Sequence, residues 1–560
     1  MEQKDSVVFW EKEIKAGEDF KKKFAEAEQW DNYTQYYRNK FAPGILPINL
    51  IYSIGRSVIP QVYLKNPGVT VTPTQPGYWV QSQLLEGVHN NLIRTLKLKK
   101  QIRKTILRTF LYGTGPFKTG FDTEYGYNLE HPRDQNIEEE KIEFNPFIRP
   151  GMPWALSVLP SNYITPWGIS DFDEKSWECF ICWRLLESVK NDPKYSEVKK
   201  DIKATYTLTG EKKGLFSFGK GVAEWVKLFE IHDFRDGKIK VFAEDSKEWL
   251  RYDDDPTQLG GSTTPIVVFN DDPEVAWGVA DCVVIDPQQK EANEIRTQEM
   301  QHRRIALMKF FYDKTKLTPT EVDKMLSANV GPGVGVDGPP ANSVMILQPH
   351  IPPDFQNSQI SIRGDVRETV GFNRNQMGEY DISSRRTATE TEYVARAAGI
   401  RVDERRDMIA DALVDIVVQW NKLIFAYWTD EKIDQVVGPD GVKYWVSFQG
   451  KELMGDYVFK VDPESQMPMN RMVRREDALK LLAQFKDDPL VPNQIELRRW
   501  VANQFEGFDV EKLFSPPEGT AGQIGSPIPM QALQQKFPPT GGEGLMKEIP
   551  MELLKGGLGG

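Results

Sequence analysis

Residues ~388–428 read as one uninterrupted helix, and that stretch limits the possible folds more than any other part of the chain. It opens from "SSRRTATETEYVAR" (383–396), where Thr387 and Glu390 stand three residues apart. The threonine hydroxyl can accept the N3 amide and the glutamate can reach back to the N-cap amide, a capping box. Further on, Ile409, Leu413, Ile416, Trp420, Leu423 and Tyr427 recur at steps of 4, 3, 4, 3 and 4, one apolar stripe of a buried helix. At 1.5 Å per residue such a helix is about 60 Å long, twice the width of a small domain. A chain of 560 residues could hold roughly three to four domains, but this strut favours an elongated subunit of several parts.

Elsewhere helical and strand periods alternate, which gives an α+β fold class. Helices are expected at ~6–37, 48–64 and ~77–112. The last carries Arg94, Lys97, Lys99, Lys100, Arg103, Lys104 and Arg108, with no acid between Gly87 and Phe121. A solvated face with snorkelling lysines explains this run; a nucleic-acid or anionic-membrane surface is the alternative. From Tyr112 to Thr264 short strands dominate, with "VKLFEIHDFRDGKIKVFAE" turning at Asp236-Gly237. Helix returns with Asp286 as N-cap and Pro287 at N1. A Gly/Pro-rich insert then carries a strand-like "VMIL", and a helix follows at ~354–377. After the long helix come a hairpin turning at "GPDG" (438–441), two short helices at ~470–505 and a Gly/Pro-rich tail over 508–560.

Net charge is −11 with a pI near 5.3, so DNA wrapping by global attraction is not expected. Three cysteines, Cys179, Cys182 and Cys282, fit a reducing compartment rather than a disulfide scaffold. No apolar leader and no run of ~18–20 apolar residues is present, so neither secretion nor a membrane span is expected.

Several motifs fall short of chemistry. "GLFSFGKG" (214–221) has Lys220 but places Gly221 where a P-loop needs a hydroxyl for magnesium. Gly333, Gly335 and Gly338 match G-x-G-x-x-G, yet Pro339-Pro340 follows where a helix must start. Cys179 and Cys182 lack a second pair of zinc ligands. Asp253, Asp254 and Asp255 suit a solvated turn better than a cation site. His89, His131, His232, His302 and His350 are scattered, and no nucleophile, base and oxyanion site assembles. No catalytic, cofactor-binding or metal residue is expected, and no enzyme.

The order of parts is more specific. "NLIYSIGRSVIPQVYLKNPGVTVTP" (49–73), "ILRTFLYGTGPFKTGFD" (106–122), "WGVADCVVIDPQQKEANEIR" (277–296) and "ETVGFNRNQMGEYDISSRRTATETEYVARAAG" (368–399) together resemble the portal proteins of tailed bacteriophages, over residues ~50 to 430. The resemblance implies a virion protein at one capsid vertex, assembled in the host cytoplasm as a ring, usually a dodecamer. Such a ring is the head-tail connector and the translocation channel for viral genome packaging and ejection. The implied partners are double-stranded DNA, the terminase large subunit, the head-to-tail adaptor and the major capsid protein, with no membrane and no cofactor.

Carried onto this chain, 1–285 and 388–466 would form the wing, and 286–309 and 354–377 the two stem helices. Residues 310–353 would be the clip, with Gly331, Pro332, Gly333, Gly335, Pro339 and Pro340 at the partner-binding tip. Residues 378–387 would be a tunnel loop aiming Arg385 and Arg386 at passing DNA, 467–507 a small helical crown, and 508–560 an extended tail lying on neighbouring subunits or a partner. The tail is not the long helical barrel of some portals. Independently, Arg363, Arg367 and Arg374 lie within ~40° on one helical face, suited to line a channel or else to pair across a subunit interface. The alternatives are another head-tail connector component, usually far shorter, or a packaging enzyme, which would need intact Walker motifs.

Overall fold

Apolar alternation between Trp177 and Ala243 builds the largest sheet among the described residues. The computed structural model describes residues 6–63, 68–121, 152–192, 194–208, 223–255, 257, 264–305, 309–313, 315, 317–326, 339, 344–347, 354–370, 388–429, 431–437, 443–461, 471–485, 497–498, 501–502 and 527–536. The chain is α+β and divides into two units. One comprises Met1–Trp30, Val58–Ala280 and Glu392–Gly560; the other comprises Asp31–Ser57 and Asp281–Thr391.

The larger unit starts with α1 (Val7–Phe24); α2 (Trp30–Tyr37) and α3 (Leu50–Val62) straddle the division. Then come β1 (Val69–Pro73), α4 (Trp79–Thr95), α5 (Leu98–Tyr112), β2 (Thr114–Phe121), β3 (Pro153–Ser157), β4 (Tyr163–Ile164), β5 (Trp177–Leu185) and α6 (Leu186–Asn191). Next are β6 (Tyr206–Leu208), β7 (Ala223–Asp233), β8 (Lys238–Ala243), β9 (Arg251–Asp254) and β10 (Ile266–Val268). Antiparallel pairing gives the order β4-β5-β7-β8-β9, with β6 also on β7, and a second sheet β10-β2-β3. The β7–β8 hairpin closes beside Asp236-Gly237, where Gly237 takes the positive φ the turn requires.

Both faces of the large sheet are covered, as period-2 alternation demands. On one, Val7, Trp10 and Ile14 of α1 pack on Trp177, Cys179, Phe229, Ile231 and Phe242. On the other, Val226, Leu228, Ile239 and Val241 meet Leu186 and Val189 of α6. The far end of α1 is tied down by Lys21, whose buried Nζ donates to the carbonyls of Pro160, Ser161 and Tyr163 at 3.1, 2.9 and 2.9 Å. Burial pulls this ammonium down to about 8, so it is still mostly charged at neutral pH. Gly113 and Gly278 are fixed by close approach. A Cβ on Gly113, already at φ +83°, would lie 1.9 Å from the Gly278 carbonyl oxygen. "LYGTGPF" and "WGVAD" therefore cross with no space for a side chain.

The smaller unit holds α7 (Asp281–Ile305), β11 (Lys309–Tyr312), α8 (Pro319–Leu326), β12 (Val344–Leu347) and α9 (Asp354–Val370). Three side chains one turn apart on α7 bind the stretch before α3. Gln289 Oε1 accepts from the Leu50 and Ile51 amides, Asn293 Oδ1 from Ile48, and Thr297 Oγ1 from Leu46, at 2.8, 3.3, 2.9 and 3.0 Å. Gln289 thus satisfies amides at the N-terminus of α3 that no helical carbonyl can reach.

Returning to the larger unit, α10 (Ala388–Tyr427) is a 40-residue helix. Its apolar stripe, Ile409, Leu413, Ile416, Trp420 and Leu423, is buried. Beyond it lie β13 (Lys432–Val437), β14 (Lys443–Phe448), β15 (Tyr457–Val461), α11 (Arg471–Phe485), β16 (Ile528–Pro529) and α12 (Met530–Lys536). Strand β15 pairs with β1, and the third sheet runs β13-β14-β16.

Five expectations change. The stretch ~6–37 breaks at Glu26 and ~77–112 breaks at Lys97, each left-handed at φ 50° and 52°. The helix expected to start at Asp286 starts at Asp281, leaving Pro287 inside it. Cys282, Ile285 and Gln289 make a buried stripe through that extra turn, and its burial outweighs the lost proline hydrogen bond. Asp253 and Asp254 are exposed as expected but lie on strand β9 rather than in a turn, and Asp255 is buried. All three aspartates are paired: Asp253 with Arg251, Asp254 with Lys238 and Asp255 with His232. Finally, the tail does not lie wholly on other subunits. Ile528 runs parallel to β14 opposite Val446, and Met530 and Leu533 are buried.

Candidate nucleic-acid interface

Helices α7 and α9 pack antiparallel. Gln359 on α9 donates to Glu299 on α7 at 3.3 Å, and further along, the rings of Phe355 and His302 lie 6.1 Å apart. Glu299 is itself clamped by Arg296 and Arg303 at 2.9 and 2.8 Å, i,i+3 and i,i+4 pairs on one helix face. On α9, Ile362, Val366 and Val370 form the buried stripe at four-residue steps. Arg363 is exposed and Arg367 half-buried, one turn apart. Both keep the shared face that their spacing implies; Arg374 lies outside the described residues.

The segment joining the two helices is not a simple loop. Strand β11 returns antiparallel to β12, with Phe310 opposite Ile346 and Phe311 opposite Met345. Between them α8 begins at a cap in which the Thr318 amide and hydroxyl both donate to Glu321, at 2.8 and 2.7 Å. Of the expected tip residues, Pro339 is exposed; Gly331, Pro332, Gly333, Gly335 and Pro340 lie outside the described residues. So do Arg385 and Arg386, and the Walker-like loop 214–221.

In the larger unit the basic run of 94–108 turns into geometry. Lys100, Arg103 and Lys104 on α5 and Arg94 and Lys97 before it are exposed. The opposite face of α5, Leu98, Ile102, Thr105, Ile106 and Thr109, is buried. Arg108 donates to Ser157 Oγ at 2.9 Å, which fixes it beside β3.

A buried polar network was not legible in the sequence. His232 donates to Asp255 from Nδ1 at 2.5 Å and to Glu230 from Nε2 at 3.2 Å, and Lys118 reaches Glu230 at 2.5 Å. Burial lowers the imidazole, but Asp255 and Glu230 outweigh it and push His232 up to about 10. Burial raises Asp255, and the His232 cation more than offsets this, bringing it to about 2. Both imidazole nitrogens are thus committed donors, with no lone pair left for a base. The network bridges β2, β7 and the end of β9, beside a cavity of about 20 Å³ bordered by Thr257 and Thr264, room for a single water. Cys182 Sγ lies 3.6 Å from Lys118 Nζ, and Cys179 is buried in the face beneath α1. The two thiols are on opposite sides of the strand, as three-residue spacing requires.

No described helix is long and apolar enough to cross a membrane. No protein-family model matches the chain, and no curated protein does. Among solved structures, a chain from the neck of a native GTA particle computed with C12 symmetry is similar over 85% of this chain and 93% of that one. The identity is 10% and the TM-score 0.38.

Proposed function

We propose that the chain is a portal subunit, a non-enzymatic component of a ring through which double-stranded DNA is packaged and ejected. The observation that carries this reading is the smaller unit's plan. An antiparallel helix pair, α7 and α9, is joined through a strand pair and the short helix α8, and is followed in sequence by the 40-residue α10. In a ring, Arg363 and Arg367 would form two tiers of positive charge about 6 Å apart along α9. Sparse tiers hold DNA transiently, whereas a uniformly basic wall would retain it. The β11–β12 segment would be the clip that docks the terminase large subunit and the adaptor, and residues 378–387 the tunnel loop. Ring closure requires a head-to-tail interface repeated by rotation. End-on negative-stain images of the purified protein test this: hollow rings with radial symmetry are expected, and compact monomers at micromolar concentration would overturn it.

A further inference from the structure

We infer that the outward face of α5 is a second contact surface for the phosphate backbone of duplex DNA, formed by the exposed Lys100, Arg103 and Lys104 and the half-buried Arg108, with Lys97 at its start. Lys100, Lys104 and Arg108 are spaced i, i+4 and i+8, about 6 Å apart along one stripe, with Arg103 beside it. The face carries one sign of charge. Among the described residues no ion pair engages Lys97, Arg103, Lys104 or Arg108. Burial lowers the pKa of Lys104, and the neighbours that lower it further, Arg108 and Lys100, are themselves cations.

Like charges four residues apart destabilise a helix. Basic residues in a first turn that lacks any acid also oppose the helix dipole. The cost is recovered when a polyanion neutralises the stripe.

The chemistry of the face selects among polyanions. A protein partner would be expected to find an aromatic or large apolar anchor, and the face offers only the half-buried Leu107. Single strands call for aromatic stacking platforms, and no aromatic residue occurs from 94 to 108. An anionic membrane calls for an apolar helix face free to enter it, but that face of α5 is in the core. Duplex DNA needs none of these, only phosphates at about one charge per 1.7 Å of axis. Arg108, held by Ser157, is already oriented.

The surface does not require a ring; it rests on the functional reading only for DNA being at hand. The test is fluorescence anisotropy of a labelled 40-base-pair duplex of arbitrary sequence, titrated with full-length protein at several NaCl concentrations. The comparison is Lys100→Ala/Arg103→Ala/Lys104→Ala. Each phosphate contact contributes about −0.9 to the slope of log K against log salt, so the triple variant should lose about 3 from that slope. Its melting temperature should hold or rise, since repulsion has been removed. A triple variant with unchanged slope and affinity overturns the assignment. So does equal or tighter binding of a single strand, or a loss confined to anionic phospholipid vesicles. Rings seen with an unchanged slope would sink this surface alone; a lost slope without rings would sink the portal reading alone.

Discussion

Acidification should unfold the α4–α10 junction through one histidine. His89 on α4 is fully buried, with Nε2 2.6 Å from Asn421 Oδ1 on α10 and the ring stacked on Trp420. Among the described residues its Nδ1 has no partner, so none of them welcomes a second proton. Burial lowers the imidazole from 6.5 to about 4, although the Asn421 bond opposes the shift. A depressed histidine stabilises the fold fully above the unfolded value and loses that stability as pH falls through the window 6.5 to 4, because the unfolded chain takes the proton first. A gap of about 2.5 units at 1.36 kcal/mol each is about 3 kcal/mol over the whole window, and about 2 kcal/mol by pH 5. Urea unfolding followed by tryptophan fluorescence at pH 7.5, 6 and 5, for wild type and His89→Gln, isolates the term, since all other titrations are shared. The variant should start less stable, from lost ring packing, and the gap should close by about 2 kcal/mol at pH 5. A gap constant across the three pH values would refute a neutral buried His89.

Glu230→Gln should cost about 3–5 kcal/mol by denaturant midpoint, because Lys118 and His232 would be left as buried cations short of a carboxylate; a loss below about 1 kcal/mol would mean that water already reaches the network. Arg385→Ala with Arg386→Ala should leave rings intact in end-on images and impair packaging or retention of DNA. Failure to form rings would make the pair interface braces, and normal packaging would remove any charge-dependent role for the loop. Purified protein should show no ATPase activity above background; activity abolished by Lys220→Ala would contradict the portal reading.

What the sequence made legible was what local periodicity encodes. The β7–β8 hairpin, strand β12 and the long α10 follow from alternation, turn chemistry and a 3.6-residue stripe. Glu26 and Lys97 were missed because neither is a glycine or proline, so nothing local marks a left-handed break; packing on both sides imposes it. Pro287 misled for the opposite reason. Its local preference for a first turn is real, but Cys282 and Ile285 gain more by extending the helix behind it. Asp254 and Asp255 needed Lys238 on β8 and His232 on β7, which only the sheet register supplies, whereas Arg251 stands two residues from Asp253 on β9 itself. The Lys118–Glu230 contact spans 112 residues, out of reach of any spacing rule. For the candidate interface, the one-sided charge of 94–108 could be read directly, but its confinement to one exposed face depends on which side of α5 the core takes.

The Gln289–Asn293–Thr297 ladder has a consequence for synthesis. Its acceptor groups lie up to 251 residues downstream of the backbone they bind, and the smaller unit is assembled from two stretches with most of the larger unit's chain between them. At about 5–20 residues per second on the ribosome, residues 46–51 wait about 10–50 s for α7 to emerge. Throughout that interval the Leu50 and Ile51 amides lack the Gln289 oxygen that accepts from both in the finished protein. The smaller unit cannot nucleate from its own N-terminal piece. A ribosome stalled near residue 270 should therefore carry that piece sensitive to protease, and one stalled beyond residue 400 should carry it protected.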